Sequence, residues 1–203
     1  MKDESPDDRD VHRRIARRVR DLRAERGQSL DALAAHCGVS RSMISLIERG
    51  EASPTAVVLE KLATGLGVML ADLFAAPHGE PTPLAPRREQ AEWRDPQSGY
   101  LRRNLSPPAF PSPIQLVEVE FPAGARVAYE SGPRDVAVHQ QIWLIAGSLE
   151  ITLGDAVHAL AVGDCLAMRL DRPIVFANPG RQAARYLVAI TAENHAPATR
   201  RTA

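Results

Sequence analysis

The stretch HCGVSRSMISLIERGEASPT, residues 36–55, decides how the amino-terminal part of the chain folds. Gly38 can take the left-handed backbone that ends one helix sharply. Val39 plugs the corner behind it, and Ser40 is a good cap for the helix that follows. Within RSMISLIERG, Ile44 and Ile47 share one face and Gly50 marks the stop. Upstream, Ser29 caps LDALAAHC, in which Leu30, Leu33, Ala34 and Cys37 recur at helical spacing. Small Ala34 leaves room for a neighbouring helix. Two short helices, a glycine turn and an apolar plug make a helix-turn-helix.

Outward from this centre the same pattern continues. A first helix is expected over residues 11–25, with Ile15, Val19 and Leu22 inward and Gly27 behind it. Its arginines lie mostly on the other face, either solvated or, at Arg17 and Arg18, aimed at phosphates. SPTAVVLEKLATGLGV opens with Ser53 as cap and Pro54 at the first helical position. Val58, Leu59, Leu62, Ala63 and Leu66 supply core. MLADLF is expected to close a five-helix bundle.

Composition narrows the function classes. A chain of 203 residues with 44% hydrophobic residues can hold two small cores. The formal charge is zero, so the whole-chain balance names no partner. Residues 11–50 differ: nine arginines stand there against Asp21, Glu25, Asp31 and Glu48. The two cysteines, Cys37 and Cys165, are far apart, which excludes a disulfide framework or a four-cysteine zinc site. No apolar run approaches the ~20 residues of a membrane span. The opening residues are charged, so no secretory leader is expected and the chain is placed in the cytoplasm.

The organisation is that of an α + β protein with two domains. Residues 1–10 read as a polar, disordered arm, and 11–76 as the helical domain. Residues 77–111, dense in proline, read as a linker and extended lead-in. From 112 to 192 the pattern changes to short apolar alternation with glycine at turns, an all-β domain of barrel or jelly-roll type. Residues 193–203 read as a flexible tail.

GVSRSMISLIERGEASPT followed by LATGLGVMLADLF resembles the phage-repressor-like, xenobiotic-response-element family of helix-turn-helix domains, over residues 12–74. The resemblance implies that the third helix enters a DNA major groove. Its exposed face carries Arg41, Ser42, Ser45 and Leu46, with Arg49 at the end; Ser29 and Ser40 sit at helix starts suited to phosphate oxygens. Arg41 has the fork that reads guanine O6 and N7. Leu46 is either a thymine-methyl contact or peripheral core. The family often has glutamine where this chain has Leu30, a departure that removes one phosphate support. It also often pairs a late arginine of the first helix with the Glu of IERG, a role that fits Arg23 and Glu48.

The order IWLIAGSLEITLGD, LAVGDCLAMRL and PIVFANPG resembles the cupin family over residues 112–191, with Gly147, the Gly163–Asp164 pair and NPG at 178–180 as anchors. Metal-binding cupins carry histidines and a glutamate at the barrel mouth. The matching places here fall at Arg134, Val136, Gln140 and Ile174, which cannot supply that set. His139 and His158 do not replace it, so no metal and no cofactor are expected. By analogy with those places, Arg134, Val136, Gln140, Ile174 and Phe176 are the expected lining of a ligand site, with Arg134 offering a fork to a carboxylate. Tyr129 and Trp143 fit core or interface equally; Trp143 alternates with inward positions and is expected on an outer face.

Together these features predict a DNA-binding transcription regulator, a repressor by resemblance, whose cupin domain dimerises and senses a small metabolite such as a carboxylate. The resemblance implies a homodimer on a pseudo-palindromic operator. Two other readings stay open: a metal-dependent cupin isomerase or oxygenase with a DNA-binding head, and a cupin that only dimerises.

Overall fold

A computed structural model describes residues 6–74, 82–108, 110–130 and 136–193. The head holds α1 (Pro6–Glu25), α2 (Leu30–Cys37), α3 (Arg41–Glu48) and α4 (Ala56–Gly65), then one turn of 3-10 helix, Leu70–Phe74. The head therefore has four α-helices, not five. The Asp72 carboxylate accepts the Met69 amide at 2.8 Å and closes the last turn locally. Five residues gain too few i to i−4 bonds to hold α geometry.

The cap residues act as their types dictate. Ser29 Oγ accepts the Ala32 amide at 3.0 Å, and Ser40 Oγ accepts that of Met43 at 3.2 Å. Gly38 lies at φ 65° and turns the chain between α2 and α3. Two boundaries differ from expectation. Helix α1 starts at Pro6, inside the segment read as a disordered arm; proline at a first helical position gives up an amide that would be unpaired anyway. Helix α4 is capped by Thr55, whose hydroxyl accepts the Val58 amide, while the hydroxyl of Ser53 meets His12 Nδ1 at 3.2 Å.

Ile15, Val19, Leu33, Ile44, Ile47 and Leu59 are at most 1% exposed. Full burial of such side chains is worth about 1.5–3 kcal/mol each. Helices α2 and α4 meet at Gly65, where an added Cβ would lie 2.7 Å from the Cys37 Cβ.

The remainder is two antiparallel sheets. The strands are β1 (Glu92–Arg94), β2 (Leu101–Asn104), β3 (Ile114–Phe121), β4 (Arg126–Tyr129), β5 (Ala137–Ala146), β6 (Leu149–Leu153), β7 (Ala156–Leu160), β8 (Cys165–Arg169), β9 (Ile174–Ala177) and β10 (Ala184–Glu193). One sheet runs β1-β2-β3-β10-β5-β8 and the other β4-β9-β6-β7. The segment read as a linker thus contributes the β1–β2 hairpin; its residues 77–81 lie outside the described residues. Its tight turn, residues 95–100, joins two short strands whose inward residues are buried. Asn178 of the NPG corner is 1% exposed and fully occupied: Nδ2 donates to the carbonyls of Phe121 and Gln182, and Oδ1 accepts the Gly180 amide.

Head and β domain share one apolar core. Phe74, Trp93, Tyr100, Phe121 and Tyr186 follow one another with ring centroids 5.8–6.4 Å apart. Phe176 stacks on Tyr186 from the smaller sheet, and Tyr129 meets Phe176 edge-on. Seven aromatic side chains therefore run unbroken from the head to the interior of the β domain.

Candidate nucleic-acid interface and effector cavity

On α3 the inward residues are Ile44 and Ile47, and the opposite side is open. Arg41, Ser42 and Arg49 are exposed, and Ser45 is partly so. Arg41 lies 3.2 Å from Asp31 of α2, with both side chains more than 60% exposed. A pair this open is worth little and releases its guanidinium readily. Arg49 is more engaged: it forks onto Glu51 at 2.8 Å and donates to Ser45 Oγ at 2.5 Å. The hydrogen bonds between Arg49 and Glu51 hold the Glu51 carboxyl below its usual range and the Arg49 guanidinium above its own.

Ser29 and Ser40 each accept an amide of their own helix, a bond that leaves the hydroxyl proton uncommitted. Ser40 and Ser42 hydroxyls lie 3.2 Å apart. Leu46 is half-buried, so it serves partly as peripheral core; Met43, 38% exposed, is an apolar side chain on this helix that the sequence pattern had not singled out. On α1, Arg17 is exposed, whereas Arg18 is held by the Asp72 carbonyl at 3.3 Å and lies 3.8 Å from Glu25.

The elbow is braced from behind. Arg23 Nε and Nη2 donate to the two oxygens of Glu48 at 2.6 and 2.8 Å, and Nη1 donates to the Gln28 carbonyl at 2.8 Å. Both side chains are largely buried, at 18% and 7% exposure. The bond to Glu48 raises the Arg23 pKa further. The pair ties α1 to α3 and so fixes the angle at which α3 projects.

Inside the β domain lies a cavity of about 720 Å³, its open mouth included. Gln140, Ile174 and Phe176 line it. Val136 is not among the lining residues; it is half-buried just before β5 begins. Arg134 lies outside the described residues. Two cationic side chains do line the cavity: Arg102, on a strand within the segment read as a linker, and Arg172. Tyr100, Tyr129 and Tyr186 stand with them, and burial pushes all three phenols up, Tyr100 to about 12. Glu60 of α4 and Leu70 of the 3-10 turn also line the cavity, so its rim belongs partly to the head.

The metal places of the cupin pattern hold Val136, Gln140 and Ile174 among the described residues, and aliphatic side chains offer a metal no donor atom. No group of three or more His, Cys, Asp or Glu able to hold a metal occurs among the described residues. The residues present do not fit such a centre. No helix among them is long and apolar enough to cross a membrane. On the outer face of the larger sheet Trp143 is 50% exposed, beside Cys165 on β8 and Leu187 on β10.

Comparison with known proteins agrees with this geometry. A helix-turn-helix domain model matches residues 14–76. The HTH-type transcriptional regulator SutR of Escherichia coli is 30% identical over 172 residues, covering 83% of this chain and 89% of SutR. The HTH-type transcriptional regulator SlrR of Bacillus subtilis is 41% identical over 63 residues, 30% of this chain and 41% of SlrR. The crystal structure of an HTH_3 family transcriptional regulator from Vibrio cholerae superposes with a TM-score of 0.77 at 25% identity, over 92% of this chain and 99% of that one. The chain belongs to the xenobiotic-response-element family of helix-turn-helix transcriptional regulators, its DNA-binding head followed by a β domain of two antiparallel sheets.

Proposed function

We propose that this regulator reads a pseudo-palindromic operator through α3 and adjusts its grip by binding a small molecule in the β domain. The observation that carries the first half is the open face of α3. Arg41 presents a nearly free guanidinium fork for guanine, Ser42 and Ser45 suit base edges or phosphates, and Arg49 stands at the exit. Ser29 and Ser40 point hydroxyls from helix starts, where phosphates bind well. Met43 and Leu46 add apolar contact for thymine methyls. A bidentate arginine contact is worth about 1–3 kcal/mol of base discrimination.

Two heads are needed for a two-fold site, and the outer face of the larger sheet offers the means. Ile114, Leu116 and Trp143 are 41–51% exposed on strands that lie side by side through β10. A self-complementary contact there gives a homodimer with half-sites about one helical turn apart. The cavity favours a sensing role over dimerisation alone, because head and β domain both line it. An occupant shifts operator binding by binding the two head arrangements unequally. Repression is the sign that the family resemblance supports.

The test is selection of bound fragments from genomic DNA, then gel-shift titration with Arg41→Ala. The variant is expected to lose preference at one base pair of each half-site. Equal discrimination by both proteins would refute the groove assignment.

A further inference from the structure

Arg102 and Arg103 are consecutive on β2, and the sheet treats them oppositely. Arg103 faces out and is matched by two acids, Glu92 at 2.6 Å and Glu118 at 2.5 Å. Arg102 faces in. It sits in the inner row Trp93–Arg102–Val119–Tyr186 that crosses β1, β2, β3 and β10. It is 6% exposed. Its Nε donates to Asn104 Oδ1 at 3.2 Å, and its guanidinium carbon lies 5.8 Å from the centre of the Phe74 ring. Its Nη2 is buried and has no hydrogen-bond partner. Guanidinium stays charged in proteins, and a buried charge with an idle donor is costly. An anion arriving at that donor would remove the cost.

The surroundings select the anion. Around Arg102 the cavity wall carries phenol hydroxyls, with those of Tyr100 and Tyr129 3.4 Å apart, and the amide of Gln140. Neutral phenols donate to a carboxylate without repelling it. Most of the remaining wall is apolar: Val119, Phe121, Ile174, Phe176 and Val188. The acids on the rim are Glu60 and Glu130, the second paired with Lys61 at 2.9 Å; Arg172, also on the rim, is paired with Asp171 at 2.8 Å. A ligand with a second negative group would bring it towards Glu60 and Glu130.

We propose that the cavity binds a small monocarboxylate with an apolar body, its carboxylate on Arg102 and its body among the aliphatic and aromatic walls. This rests on the sensing reading given above and names the ligand class for it. The occupant lies against the head directly. Phe74, which covers the Arg102 guanidinium, belongs to the head's last turn, and Leu70 and Glu60 complete the rim. Drawing the guanidinium towards a carboxylate therefore changes a contact on which the head rests.

The experiment is calorimetric titration and thermal shift of the full chain with butyrate, hexanoate and octanoate. Hexanol and hexylamine serve as the neutral and cationic counterparts. At least one carboxylate is expected to bind about tenfold or more tighter than hexanol, the effect of one or two charge-assisted hydrogen bonds. Arg102→Gln is expected to abolish that preference, and Arg103→Gln to leave it intact. Should Arg102→Gln fail to fold, the carboxylate-to-alcohol ratio in the unmodified chain decides alone. Carboxylates binding no better than hexanol, or binding equally to folded Arg102→Gln, would overturn the proposal. Hexanol or hexylamine binding without any carboxylate would sink the anion site and leave the sensor standing; binding of none of the five compounds would count against both.

Discussion

The Asp95 carboxylate and the Ala56 backbone amide join the two halves of the molecule: Oδ1 accepts that N–H at 2.9 Å. Asp95 is 2% exposed on the turn after β1, and Ala56 opens α4. The β domain thus caps a helix of the head, and a negative group at a helix start also suits the helix dipole. Oδ2 is held by the amide and hydroxyl of Ser98, so the carboxylate is fixed before the helix docks. Asp95→Ala leaves a buried amide unpaired and is expected to cost about 1–3 kcal/mol. Asp95→Asn keeps an acceptor and should cost less. Hydrogen exchange at the amides opening α4 checks this; equal protection in Asp95→Ala and the unmodified chain would contradict it.

Arg23 and Glu48 brace the elbow from behind. Removing one partner leaves the other charge buried and uncompensated, which is why such deletions cost about 3–5 kcal/mol. Arg23→Ala should lower the free energy of unfolding by that amount, read from the shift of the denaturant midpoint at unchanged slope. Arg23→Lys supplies charge without the fork and should fall between. A midpoint unchanged in Arg23→Ala would show that the pair carries no stability.

The head was legible because its signals are local. Ser29, Gly38 and Ser40 act within a turn of their own positions, and Ile44 and Ile47 recur at helical spacing. The β1–β2 hairpin was hidden by the prolines on either side of it, although DPQSG is itself a turn signal between Trp93 and Tyr100. Arg102 was illegible for a different reason. Adjacent strand residues face opposite sides, and only the register against β3 shows which of two consecutive arginines points inward. Arg134, where a carboxylate fork is expected by analogy, lies outside the described residues, and that role is proposed above for Arg102, from another strand. No sequence pattern announces the Asp95–Ala56 bond, since it links residues 39 positions apart.

Glu51 restrains the guanidinium at the end of α3. It holds Arg49 in a fork on an exposed surface. On phosphate binding, Arg49 must exchange that carboxylate for the backbone. Glu51→Gln frees the guanidinium and should tighten binding to all duplexes alike. The slope of log affinity against log salt should steepen by up to about 0.9, the value of one added phosphate contact. Filter-binding titrations at several salt concentrations measure it. An unchanged slope would mean that Arg49 stays on Glu51 in the complex or never meets phosphate.

Trp143 should anchor the homodimer proposed above. A half-exposed indole on an open sheet face is the kind of side chain that carries much of an interface's energy. Trp143→Glu is expected to cost about 2 kcal/mol or more, roughly a thirtyfold rise in dissociation constant. The fold should survive, because the side chain points away from the core. Sedimentation equilibrium distinguishes the outcomes. A variant that associates like the unmodified chain, or an unmodified chain that is monomeric throughout, would remove this face from the account.

The three tyrosines predict how the β domain meets alkali. All of them belong to the aromatic run and line the cavity. Burial favours their neutral form, holding Tyr100 at about 12 and moving Tyr129 and Tyr186 upward as well, against 10.0 for a free phenol. The folded state therefore resists ionisation that the unfolded state accepts. Their contribution to stability is whole below about pH 10, where neither state ionises, and drains away as pH rises through 10 towards 12 and beyond. Tyrosinate absorbance should stay silent while the β signal in circular dichroism is intact, then appear together with its loss. A smooth titration near pH 10 with native circular dichroism would show that the phenols are open to solvent, and would deny the cavity the neutral donors assigned to it.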